Sequence, residues 1–194
     1  MYLCTEHCII SENQGDVTMD NQQERFDLEL AWLAGIIEGE GWVSLALVKS
    51  RKKNGNSLPA YVPNIGLVNT DLGIVEKSEV IFKKLGLKYR VQLRKSYIGP
   101  DGSPRKEKKE ISIATHENFQ ILSKAILPYM VGEKKNRIKK VLHFIEMRAS
   151  KPRSGKNSKY TQEEHKIYLS LYSYRGKSKS KIPNDYTPGS LIAI

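Results

Sequence analysis

Leu30, Leu33, Ala34 and Ile37 recur at helical spacing and build a broad apolar face, while Ala31, Gly35 and Gly39 at i, i+4 and i+8 form a smooth stripe beside it. Asp27 is a suitable N-cap, so a first helix is expected from about that residue to the glycines at Gly39 and Gly41. From Trp42 the period changes. Trp42 to Ser50 is rich in Val and Leu, the segment 51–56 turns the chain, and Tyr61 to Asn69 returns it as the second strand of a hairpin. Asp71 caps a second helix with Ile74, Val75, Ser78, Ile81, Phe82 and Leu85 on one face, and Gly86 stops it. A second hairpin follows: Arg90, Gln92 and Arg94 alternate with Val91 and Leu93, Gly99-Pro100-Asp101-Gly102 turns, and Lys108 to Ile113 returns with Ile111 and Ile113 inward. Three more helices are expected, from about His116 to Leu127, Lys134 to Ala149 and Thr161 to Tyr172, with Pro128 ending the first of them.

This pattern divides the chain into a polar extension (1–24), an α+β core (25–150) of order αββαββα, and a C-terminal helix with a basic tail (151–194). The tail, with Lys177, Lys179 and Lys181 alternating with serines, reads as a basic segment expected to order only on DNA.

The end of the first helix is its least ordinary part. Gly35 and Gly39 each disfavour a helix by roughly 1 kcal/mol relative to Ala, a cost that close approach of a second helix would offset. Two copies packed along the stripe formed by Ala31, Gly35 and Gly39 would bring their Glu38-Gly39-Glu40 ends side by side.

Charge narrows the partner. The 194 residues carry a formal net charge of +11, which calls for an anionic partner, nucleic acid foremost. Basic clusters are spread along the chain and do not flank one apolar segment, which argues against a membrane surface. No run approaches a spanning helix, and Glu6, Glu12 and Asp16 stand where a secretory signal would be basic then apolar, so an intracellular protein is expected. Cys4 and Cys8, with His7 between them, would be half of a zinc site at most, and nothing downstream supplies the other half. His116, His143 and His165 stand singly on expected helices and read as surface or core residues.

Residues 33–41, Leu-Ala-Gly-Ile-Ile-Glu-Gly-Glu-Gly, resemble the signature of the LAGLIDADG homing endonucleases. The match is outright at Leu33, Ala34, Gly35, Ile37 and Gly41; Ile36 replaces a leucine, Gly39 a small residue, and Glu38 and Glu40 the two aspartates, one methylene longer. The αββαββα order is also that family's core, so the resemblance covers about residues 25–150. It implies an α+β saddle whose antiparallel sheet lies on double-stranded DNA. With one motif in the chain, it implies a homodimer joined through Ala31, Gly35, Glu38 and Gly39. The implied activity is site-specific double-strand cleavage at a long pseudo-palindromic target, with Mg2+ or Mn2+ as cofactor, in the service of intron or intein mobility. Alternatives on the same fold are a maturase that binds intron RNA and a non-catalytic DNA-binding regulator.

The resemblance also implies roles for individual residues. Glu40 would bind the metal together with the Gly39 carbonyl, while Glu38 is read either as a metal contact or as a group that hydrogen-bonds the helix ends. Asn69 would orient the attacking water, or else only precede a helix cap. Lys134 or Lys135, following Leu127-Pro128-Tyr129, would stabilise charge on phosphorus, or else bind backbone phosphate. Base reading falls to outward sheet residues, since a twisted ribbon fits the major groove. Arg90, Gln92 and Arg94 are the leading candidates and Ser44, Asn64 and Ser112 follow by face alternation, the bland reading being a merely solvated sheet face. Arg51, Lys52, Lys53, Lys108 and the other basic residues of 105–109 are read as phosphate contacts.

Overall fold

The computed structural model describes residues 19–49, 59–150 and 160–172. The N-terminal Cys4, His7 and Cys8, the basic loop Arg51, Lys52 and Lys53, and the tail 173–194 lie outside the described residues. The element order is α1 (Met19–Glu40), β1 (Gly41–Lys49), β2 (Pro59–Asn69), α2 (Leu72–Lys84), β3 (Arg90–Arg94), β4 (Tyr97–Ile98), β5 (Pro104–Arg105), β6 (Lys108–Ile113), α3 (His116–Ile126), α4 (Glu133–Ala149) and α5 (Gln162–Tyr172).

Four strands form an antiparallel sheet in the order β1-β2-β6-β3, and β4 and β5 make a separate two-stranded ribbon at the tip of the second hairpin. That ribbon closes where expected, with Gly102 at φ 75° and its N–H donated to Gly99 O at 2.9 Å. Alternation gives the sheet one buried face. Val43, Leu45, Ile65, Leu67, Ile111 and Ile113 point from it into the core, where they meet Leu33 and Ile37 of α1, Phe82 of α2, Phe119 and Leu122 of α3, and Ile138 and Phe144 of α4. Each fully buried side chain of this size contributes roughly 1.5–3 kcal/mol, so this layer is what fixes the strand register. α5 packs against α4 and β1, where Tyr61, Tyr160, Tyr168 and Phe144 form an aromatic cluster.

The α+β architecture and its strand pairs agree with the sequence reading; the start of α1 does not. The helix begins at Met19, so residues 19–24 belong to it and not to a leader. Asp27 lies inside the helix, where its carboxylate accepts a hydrogen bond from Gln23 Nε2 at 2.9 Å, one turn back. Gln22, Gln23, Glu24 and Arg25 are good helix formers, and Phe26 extends the apolar face that Leu30 continues. At α2 the cap is as expected: Asp71 accepts from Gly73 N at 3.0 Å, and Gly86 ends the helix in the left-handed region at φ 66°. No helix among the described residues is long and apolar enough to cross a membrane.

Candidate active site and nucleic-acid interface

Where α1 hands over to β1, the chain needs glycine. A Cβ on Gly41 would stand 2.7 Å from Ile37 O and 2.8 Å from Gly66 O, so backbone closes on backbone there. Gly35 and Gly39 are different: both are exposed, and among the described residues a Cβ on either would meet nothing within 4 Å. Their stripe faces away from the chain's own core, together with Leu28, which is 71% exposed.

The same end of α1 gathers the charged residues. Lys134, at the start of α4, places its Nζ on Ile37 O at 3.0 Å, Glu38 O at 2.5 Å and Gly39 O at 3.2 Å. Those carbonyls lack helical partners and form the negative end of the helix dipole, which Glu38 and Glu40 make more negative still; an ammonium there offsets them. Burial pushes Lys134 below the usual lysine range, Arg137 acts in the same sense, and Glu38, Glu40 and Glu133 oppose them. The exchange is reciprocal. Gly132, the N-cap of α4, has no side chain to offer, and Glu38 Oε1 accepts from Lys134 N at 3.1 Å in its place. A Cβ on Gly132 would run into the Glu38 carboxylate.

The Glu38 carboxylate is therefore turned toward the start of α4 in its own chain, whereas Glu40 is exposed at the helix end. Asn69 stands at the same end of the sheet, beyond the Gly41–Leu67 pair, and its Oδ1 accepts from Asp71 N at 2.9 Å in the turn that opens α2. Of the two candidate lysines, Lys134 is the one whose ammonium reaches α1. No group of three or more His, Cys, Asp or Glu residues converges among the described residues. What the chain offers a cation at this point is one exposed carboxylate and a neighbouring main-chain carbonyl. That set suits a hard ion that keeps waters and takes further oxygens from phosphate.

The outer face of the sheet carries the residues read as base contacts. The register pairs Ser44 with Asn64, Gly66 with Ser112, Ser112 with Arg90, Gln92 with Glu110 and Arg94 with Lys108, so all of these project to the side opposite the helices. Arg90, Gln92 and Arg94 are exposed. Arg94 also donates to Glu110 Oε2 at 2.8 Å, which makes this edge of mixed charge. Lys109 is a correction to the phosphate-contact reading: the pleat turns it to the helix side, where it pairs with Glu79 at 3.5 Å and Glu76 at 3.7 Å. Arg105 is likewise held, by Asp101 at 2.9 Å across its own turn.

Trp42 escaped the sequence reading. It is the first outward residue of β1, its indole covers Gly66, and its Nε1 donates to Asn64 Oδ1 at 3.1 Å. A tryptophan followed by polar Ser44 on the outward alternation was the available signal.

No family model matches the sequence, and no curated protein does. Solved structures do. The homing endonuclease I-CvuI, bound to its target in the presence of calcium, is 18% identical, with 80% of this chain and 87% of that one covered and a TM-score of 0.56. An archaeal intron-encoded homing endonuclease complexed with DNA is 15% identical over 86% of this chain and 93% of its own, with the same TM-score of 0.56. The LAGLIDADG homing endonuclease I-GzeII, in complex with its DNA target, is 12% identical with a TM-score of 0.52; the match covers 85% of this chain but 50% of that one. The chain has the LAGLIDADG homing-endonuclease fold.

Proposed function

We propose that the chain is one subunit of a homodimeric, divalent-metal-dependent, site-specific DNA endonuclease acting inside the cell, where its cleavage of a long pseudo-palindromic site promotes mobility of an intron or intein. The observation that carries this reading is that exposed Glu40 follows the Gly39 carbonyl, which Lys134 Nζ reaches at 3.2 Å, at one end of a sheet whose outer face carries Arg90, Gln92, Arg94 and Lys108 on its β3–β6 side. Glu40 and the Gly39 carbonyl would hold Mg2+ or Mn2+. Such an ion, once bound, supplies activation of the attacking water and neutralisation of the leaving 3′ oxygen. Lys134 Nζ, set on the last carbonyls of α1, would oppose charge building up on phosphate there, and Asn69, at the same end of the sheet, is the candidate for positioning water. The exposed stripe of Leu28, Gly35 and Gly39 is the surface on which a second copy would pack, which would set two Glu40 carboxylates against opposite strands.

The decisive experiment uses DNA spanning the uninterrupted insertion site, with magnesium. Wild-type protein is expected to cut both strands and leave short 3′ overhangs. Glu40→Gln is expected to lower cutting at least a hundredfold while leaving affinity for the same DNA within a few-fold. Binding without cutting by wild type would favour a regulator on this fold, and selective binding of the intron RNA would favour a maturase; either result would refute the endonuclease reading.

A further inference from the structure

Asn64 faces outward from β2 with one end of its amide already committed. The indole Nε1–H of Trp42 can only donate, so the Asn64 atom that meets it at 3.1 Å is Oδ1, and the amide cannot turn over without losing that bond. Trp42 is itself held, because its ring lies over Gly66, where even a methyl group on the backbone would stand 2.8 Å from Cζ2. Oδ1 keeps a second lone pair, but the indole fixes where that oxygen points, and the other end of the amide, Nδ2, is a pure donor. Asn64 also lines a groove of about 340 Å3 that runs over the β1 edge, shared with Trp42, Ser44 and Ala46 and reaching Leu47 and Tyr168 on the helix side.

A free asparagine in the major groove reads adenine, accepting from N6 and donating to N7 at once. An asparagine whose oxygen is held by a tryptophan leads with its donor, which suits the two adjacent acceptors of guanine, N7 and O6. We infer that Asn64 is a specificity-determining residue that selects guanine at one base pair of each half-site, and that Trp42 is the positioning residue that enforces this choice. The inference rests on the reading of the outer sheet face as a DNA-reading surface.

The test is selection of bound duplexes from a randomised library by full-length wild type and three variants, with thermal midpoints measured in parallel. Asn64→Ala marks the base pair concerned, as the one position that loses its preference. Wild type should show guanine there by at least fivefold over adenine. Trp42→Phe keeps a ring over Gly66 but removes the N–H; it should shift that position alone toward a mixture of adenine and guanine, with overall affinity within threefold and an unchanged midpoint. Asn64→Asp still accepts from Trp42 but offers the base an acceptor, and should move the preference to cytosine, whose N4 donates. Adenine preferred by wild type at that position, or a Trp42→Phe preference identical to wild type, overturns the inference. Wild type that enriches no duplex refutes the DNA-reading surface, and with it this assignment.

Discussion

Glu38 lies in the middle of the acidic signature, yet its geometry ties it to the start of α4. Its carboxylate sits at the positive end of that helix and accepts from Lys134 N, doing for α4 what a serine or aspartate at position 132 would otherwise do. Removing it should cost what the loss of an N-cap costs, about 0.5–2 kcal/mol. Glu38→Ala is therefore expected to lower stability to urea by that amount, while Glu38→Gln, which still presents an accepting oxygen, should lose less than half as much. Equal losses would show that the charge, and not the hydrogen bond, is what α4 requires. The sequence shows Glu38 and Lys134 to be 96 positions apart and cannot show that they touch. For the same reason the sequence cannot show which of Lys134 and Lys135 meets the end of α1; in the fold Lys134 does.

At the scale of elements, alternation and caps made most of the fold legible. The run Arg90 to Leu93 declares its two faces, Asp71 and Gly86 bracket α2, and Pro128 stands in the single 3-10 turn, Leu127–Tyr129, that separates α3 from α4. Asp27 misled because aspartate favours both N-caps and, with a glutamine one turn earlier, helix interiors; local chemistry alone does not choose between them. Lys109 misled because it lies in a basic cluster, while the pleat decides its face. α5 was legible as a helix but its attachment was not. The Tyr61 hydroxyl, on β2, meets His165 Nδ1 at 2.5 Å, and burial holds His165 below the ordinary histidine pKa of 6.5. His116 is shifted in the same direction, again mainly by burial. A histidine kept neutral in the folded chain binds fewer protons than it does unfolded, so stability is full above pH 6.5 and falls as pH drops below it toward the folded-state values. Urea midpoints should therefore decline between about pH 7 and pH 5, and His165→Gln should flatten part of that slope. A slope in the variant equal to that of wild type would mean that His165 does not report the docking of α5.

For the molecule as a whole, the open question is what the bare stripe on α1 is for. Among the described residues Gly35 brings no packing gain: it is exposed, a Cβ there would meet nothing within 4 Å, and glycine inside a helix forfeits about 0.5–1 kcal/mol relative to alanine. Leu28 at 71% exposure and Val131 at 91% place apolar surface on the outside of the same chain, which water also disfavours. A second copy packed along the stripe would offset the cost of Gly35 and cover Leu28, since helices lined with small residues can approach until their backbones nearly touch. Gly35→Leu separates the two settings. Leucine is nearly as good a helix former as alanine, so at a dilution where wild type is monomeric the variant should melt higher. In the dimer the same leucine would stand between two helices that need to be close, so sedimentation at micromolar concentration should show wild type as a dimer and the variant as a monomer. Cutting of both strands should then fall with dimerisation, even though Glu40, Lys134 and the sheet are untouched. A variant that dimerises as wild type does would remove the stripe from the interface, whatever its effect on melting.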